Sequence, residues 1–240
     1  MTSPAQPRWK RVLVKLSGEA LMGGLSHGLD QPTLTRIARD LAATAALGVE
    51  IAVVVGGGNF FRGIQGADKG IERARADSIG MLATVMNALA LEQAIEREGQ
   101  AARALSAVAM PAICQPYSRQ AALNHLAKQR VVVLAGGTGN PFFTTDTGAA
   151  LRAAELSADV LMKATQVDGI YTADPKKDPS AELIPTVSYL EVLNKGLKVM
   201  DTTAITLCMD NALPIVVFDL LRQGNVRSVL AGADLGTLVR

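Results

Sequence analysis

Along the chain, short runs of apolar, largely β-branched residues alternate with longer stretches whose apolar residues recur at helical spacing. The short runs are Val12–Leu16 (VLVKL), Ile51–Val55 (IAVVV), Val131–Leu134 (VVVL), Val160–Met162 (VLM) and Ile215–Phe218 (IVVF). They are nearly continuous in apolar character, the pattern of strands covered on both faces. Between them the spacing predicts helices over Leu34–Leu47, Asp77–Arg97, Ser118–Lys128, Thr147–Leu156 and Thr202–Asn211. Asp30 and Pro32 supply start signals for the first, and Gly48 and Gly99 lie just past the ends of the first two. This rhythm predicts an α/β protein, a three-layer αβα sandwich with a mostly parallel central sheet.

The second of these helices is apolar on two sides. Ile79, Leu82, Met86 and Leu89 share one face, while Met81, Val85, Ala88 and Leu91 form another. Such a helix must be buried on more than one side. It is either a central core helix or one shared between the sheet and a second subunit.

Composition narrows the class. A chain of 240 residues, 49% hydrophobic and 19% charged, can bury a substantial core. We expect one domain over residues 1–240, with 1–10 as an N-terminal arm. A formal charge of +2 and an aromatic content of 4% lack the basic stripe and stacking platform of a nucleic-acid binder. Cys114 and Cys208 make no disulfide framework, and His27 and His125 lie too far apart in sequence for a His-based metal site. No uninterrupted apolar run reaches the roughly 18 residues of a membrane span, since Thr84 and Asn87 break the richest stretch. The first ten residues hold no apolar signal-peptide core, so the expectation is a soluble, cytoplasmic protein without membrane or nucleic-acid partners.

The segments directly after the strands carry more information. Ser17-Gly18-Glu19 comes after the first run, Gly56-Gly57-Gly58-Asn59 after the second, Gly136-Gly137-Thr138-Gly139-Asn140 after the third and Lys163-Ala164-Thr165 after the fourth. Ligands of open α/β sheets bind beyond the carboxyl ends of the strands. Glycine there admits positive φ and lets backbone N–H groups approach an anion. Several such loops converging on one edge point to a ligand with several phosphates. Neither a P-loop nor a dinucleotide G-x-G-x-x-G is present. Lys15 and Arg62, beside glycine loops, read together as a cationic clamp for a transferring phosphoryl group. Asp146, Asp174 and Asp201 are candidates to orient groups or to reach Mg²⁺ through water or phosphate oxygens. Asp146 and Asp201 also read as helix caps.

These residues sit in motifs that resemble those of the bacterial uridylate kinases, a family of the amino-acid-kinase fold. The motifs are KLSGEAL (Lys15–Leu21), GGGNFFRG (Gly56–Gly63), GTGNPFFTTD (Gly137–Asp146), KATQVDGIYTADP (Lys163–Pro175) and KVMD (Lys198–Asp201). The resemblance implies phosphoryl transfer from ATP to UMP, giving UDP and ADP, with Mg²⁺ carried on the ATP. It implies Lys15, Arg62, Asp146 and Asp201 as catalytic residues. ATP would be held by Lys15, Leu16, Ser17, Gly18, Gly58, Arg62, Thr165, Gln166, Tyr171 and Asp174. UMP would be held by Gly57, Asp77, Thr138, Gly139, Asn140, Pro141, Phe142, Phe143, Thr144 and Thr145, with Asp77 at the ribose hydroxyls. It further implies a homohexamer activated by GTP and inhibited by UTP, with Arg103 and Arg130 at the basic positions of the GTP site. One departure is Gln166, where many members carry a second lysine. Two other readings stay open: a carboxylate or carbamate kinase of the same fold, and a non-catalytic nucleotide-binding or storage protein.

Overall fold

The five apolar runs form the middle of one sheet. In the computed structural model, which describes residues 7–62, 70–165, 167–173, 175, 177–197, 199–220, 222, 224–230, 232–233 and 235–240, the sheet has nine strands. They are β1 (Arg11–Leu16), β2 (Glu50–Val55), β3 (Ala102–Ser106), β4 (Gln115–Pro116), β5 (Val131–Ala135), β6 (Val160–Thr165), β7 (Thr186–Val187), β8 (Ile215–Asp219) and β9 (Thr237–Val239). Their order is β4-β3-β5-β2-β1-β6-β8-β9-β7. Every pairing is parallel except β8 with β9.

The order reverses at β1. Strands β2 and β5 add to one side of it, while β6 and β8 add to the other. The cleft at such a reversal, outside the carboxyl ends of the strands, is where open α/β sheets bind ligands. Lys15 on β1 is in register with Lys163 on β6, so two lysines stand side by side at that cleft.

Seven helices are described: α1 (Gln31–Ala45), α2 (Arg73–Arg97), α3 (Arg119–Leu126), α4 (Thr145–Glu155), α5 (Tyr189–Asn194), α6 (Thr202–Asp210) and α7 (Asn225–Leu230). Side chains alternate across the sheet. Val12, Val14, Leu16, Val53 and Val133 pack with Ile37 and Leu41 of α1, Leu91 and Ile95 of α2 and Val229 of α7. Leu13, Val54, Val132 and Leu161 pack on the other face with Ala149 and Ala153 of α4 and Ile205 and Cys208 of α6. Lys15 and Lys163 continue the Leu13 and Leu161 rows, so both extend toward the α4 and α6 layer.

The caps are local. Asp30, Ser118 and Asp201 accept backbone N–H bonds from Thr33, Ala121 and Ala204, at 2.9, 3.2 and 3.0 Å, and begin α1, α3 and α6. Asp146 is not a cap: Thr144 takes that place by accepting from the N–H groups of Asp146 and Thr147. The helix expected from Thr147 therefore starts at Thr145, and α2 starts at Arg73 rather than Asp77.

By length and composition α2 is apolar enough to cross a membrane. Here Val85, Ala88, Leu91 and Ile95 are buried in the core, while Leu82 and Met86 on its outer side are 46% and 48% exposed. Both expected apolar faces exist, and within one chain only the inner one is covered.

Candidate active site

The cleft centres on a buried cluster of charges. Asp146, in the first turn of α4, places Oδ1 2.7 Å from Lys15 Nζ and Oδ2 2.7 Å from Lys163 Nζ. Lys163 also donates to the Val199 carbonyl. Burial on its own would raise the Asp146 pKa, but the two ammonium groups outweigh it and hold the carboxyl below its usual value. Burial lowers Lys163 from the ordinary lysine value, with Asp146 opposing the shift and Lys15 adding to it.

Asp201 organises the same corner from α6. One oxygen accepts from the Thr144 hydroxyl, and the other accepts from the Thr147 hydroxyl at 2.9 Å and the Ala204 N–H. It therefore ties the N-termini of α4 and α6 together. Asp146 is engaged by two lysines, and Asp201 by two threonines and a backbone N–H. Among the described residues no group of three His, Cys, Asp or Glu side chains could hold a metal ion. This donor set does not form a protein-held Mg²⁺ cage, and it suits Mg²⁺ arriving on a substrate's phosphate oxygens.

Two cavities flank the cluster. The first, about 420 Å³, is lined by Gly57, Gly58, Arg62, Asp77, Thr138, Asn140, Phe143, Thr144 and Thr145, with Arg73, Thr84, Gly136 and Gly137. Gly139, Pro141 and Phe142, expected at the same site, do not line it. Phe142 is 66% exposed and participates through its backbone, whose N–H donates to Asp77 Oδ2 at 2.8 Å. Arg73 holds both Asp77 oxygens, at 3.0 and 2.9 Å. The second cavity, about 570 Å³, is lined by Lys163, Thr165, Ile170, Tyr171, Pro175 and Val217. Its Ile170 wall is held by Thr237 of β9, which accepts from the Ile170 N–H at 2.8 Å and donates to the Ile184 carbonyl at 2.6 Å. Gln166 and Asp174 lie outside the described residues.

The glycine loops that follow β1 and β2 touch. A Cβ on Gly18 would stand 2.6 Å from the Gly58 nitrogen and 2.5 Å from Asn59 Oδ1, so no side chain fits there. Ser17 caps the short 3-10 turn Gly18–Leu21 by accepting from the Ala20 N–H at 3.1 Å. Arg62 pairs with Glu19 of that turn. Leu16, expected among the ATP-binding residues, is fully buried in the core, and its carbonyl accepts from the Gly56 N–H at 2.9 Å.

Polar residues on α2 fix these loops from below. Asn87, fully buried, donates to the Gly56 carbonyl at 2.6 Å and exchanges two hydrogen bonds with Asn59, at 2.7 and 2.9 Å. Thr84 accepts from the Gly136 N–H at 2.7 Å. Sequence reasoning saw these two only as interruptions of an apolar stretch. Two polar residues at helical spacing on a core-facing surface were the available signal. Asn87→Ala leaves buried groups of Asn59 and Gly56 unpaired, and should lower the melting temperature by roughly 5–10 °C in a calorimetric scan. Lys163 was also missed as a site residue, although it occupies the same strand-end position as Lys15.

A mostly parallel sheet whose glycine loops, paired lysines and helix N-termini meet at the strand-order reversal defines a phosphate-handling α/β protein. The chain belongs to the amino acid kinase family, whose family model matches residues 10–219. It is 56% identical over 234 residues to a uridylate kinase of Nitrobacter winogradskyi, covering 98% of both chains. It is 55% identical over 235 residues to a uridylate kinase of Rhodopseudomonas palustris, covering 98% of this chain and 99% of the relative. Among solved structures, UMP kinase from Bacillus anthracis superimposes with a TM-score of 0.93 at 37% identity, over 97% of this chain and 96% of that one. UMP kinase from Ureaplasma parvum gives 0.91 at 32% identity, over 97% and 99%.

Proposed function

We propose that this chain transfers the γ-phosphoryl group of MgATP to UMP, giving UDP and ADP. The observation that carries the reading is the placement of the Lys15–Asp146–Lys163 cluster between two cavities of nucleotide size. The first cavity takes UMP, with Asp77 at the ribose hydroxyls and the 138–145 loop around the base and phosphate. The second takes the adenosine of ATP against Thr165 and Tyr171, with Gln166 and Asp174 assigned there by resemblance alone. Ser17, Gly18 and Gly58 bring backbone to the phosphates. Lys15 and Arg62 stabilise charge on the phosphoryl group in flight, while Asp146 holds the lysines and Asp201 fixes the helix ends around them. Phosphoryl transfer depends mainly on positioning and charge stabilisation, which matches a site without a histidine base.

The deciding experiment is a coupled assay of ADP formation with MgATP against UMP, CMP, dUMP, acetylglutamate and carbamate. UDP formation from UMP supports the reading. Turnover of acetylglutamate or carbamate alone transfers the chain to the carboxylate or carbamate kinases, and nucleotide binding without turnover makes it a binding protein.

Regulation and assembly belong to the same proposal. A cavity of about 310 Å³ is lined by Arg103, Arg130, His125, Glu92 and Cys114. Burial, then Arg130, Arg103 and Lys128, lower the His125 pKa, so the cation-rich surroundings suit an anionic effector such as GTP as activator, with UTP as inhibitor. The outer α2 face of Leu82 and Met86 is the contact for another subunit in a homohexamer acting in cytoplasmic pyrimidine nucleotide biosynthesis. Met86→Lys places a charge in that contact, and should shift the assembly to smaller species in sedimentation velocity. An unchanged sedimentation coefficient would take α2 out of the interface.

A further inference from the structure

Arg152 is a buried cation that the phosphoryl-transfer reading leaves without a role. It lies on α4 and is 6% exposed. Its Nη1 donates to Glu155 Oε2 at 2.7 Å, and its Nη2 donates to the Gly137 carbonyl at 3.1 Å. The guanidinium stacks 4.0 Å from the centre of the Tyr117 ring, and the Tyr117 hydroxyl donates to the same Glu155 oxygen at 2.5 Å. Burial and the bond to Glu155 raise the Tyr117 pKa, so the phenol remains a donor at neutral pH.

A guanidinium removed from water must be fully engaged, and here one of its forks is committed to a loop carbonyl. That loop joins β5 to α4 and lines the first cavity. Gly136, Gly137 and Gly139 have φ of 76°, 54° and 82°, so the segment has little conformational preference of its own. The peptide is planar, and fixing the Gly137 carbonyl also fixes the direction of the Thr138 N–H. Gly148 of α4 presses on the same peptide, since a Cβ there would lie 3.1 Å from the Gly137 Cα and carbonyl carbon.

We propose that Arg152, locked by Glu155 and Tyr117, is a positioning residue for the UMP side of the site, acting through the Gly137–Thr138 peptide. The inference rests on the reading that the first cavity holds UMP. A planar fork that bonds two acceptors while its face covers a ring is specific to arginine, so lysine cannot replace it.

The test compares KM for UMP with KM for ATP in Arg152→Met, Arg152→Lys and Gly148→Ala. Arg152→Met should raise KM for UMP about tenfold or more and leave KM for ATP within about twofold. Arg152→Lys should not restore the UMP value. If Arg152→Met does not fold, Gly148→Ala stands in for it. Alanine is the better helix former, yet its Cβ must displace the same peptide, so the same selective rise is expected. An unchanged UMP KM in either folded variant, a parallel rise in both constants, or full rescue by lysine overturns the proposal. Absence of UMP turnover in the unsubstituted protein instead defeats the assignment of the first cavity.

Discussion

Lys15→Met should reduce kcat by about two to three orders of magnitude with the fold intact. Lys15 is buried at the strand-order reversal, and its ammonium lies 2.7 Å from Asp146. In a water-poor cleft, a fixed positive charge beside the transferring group is worth far more than in solution. Methionine fills the space without the charge, and Asp146 keeps Lys163 as a partner at 2.7 Å, so the core is not left with an isolated carboxylate. Steady-state turnover with saturating MgATP and UMP, alongside circular dichroism, measures both halves of the expectation. A normal kcat with a raised KM would make Lys15 a binding group rather than a transition-state group.

Asp146→Asn should have the largest effect on stability. It removes the negative charge that keeps two buried ammonium groups together, at a cost of about 3–5 kcal/mol, and urea titration should show the corresponding loss. A second substitution, Lys163→Met, should return part of that stability by removing the repulsion. Strict additivity of the two changes would refute this account of the cluster. The pH dependence arises from the same ions. The Asp146 pKa is depressed in the folded state, so its contribution is full above the unfolded carboxylate value. It disappears as pH falls through the folded one.

The strands that carry the cleft were legible because burial on both faces leaves a nearly continuous apolar run, as in VLVKL and IVVF. Strand β3 was not. Its ARALS sequence combines two alanines with an exposed Arg103, a pattern close to neither helix nor sheet, and pairing with β5 along its whole length makes it a strand. Strand β9 pairs antiparallel with β8, which no local rhythm of strands and helices announces.

The site divides in the same way. Glycine loops, Lys15 and Arg62 stood in recognisable motifs, Asp77 was assigned only by the resemblance, and the structure brings each of them to the cleft. Lys163, Asn87 and Arg152 act through partners distant in sequence, Asp146, Asn59 and Gly137 respectively. Their importance is a property of register and packing. Asp146 was legible as a residue but not in its setting, because a cap and an ion-pair centre look alike until the strand lysines are placed.

The pairing of β9 also couples the far edge of the sheet to one half of the cleft. Among the described strands β7 pairs only with β9, and Thr237 of β9 holds the wall of the second cavity. Fraying at that edge of the sheet would therefore reach the wall of the second cavity directly, whereas the first cavity is lined by no residue of β9.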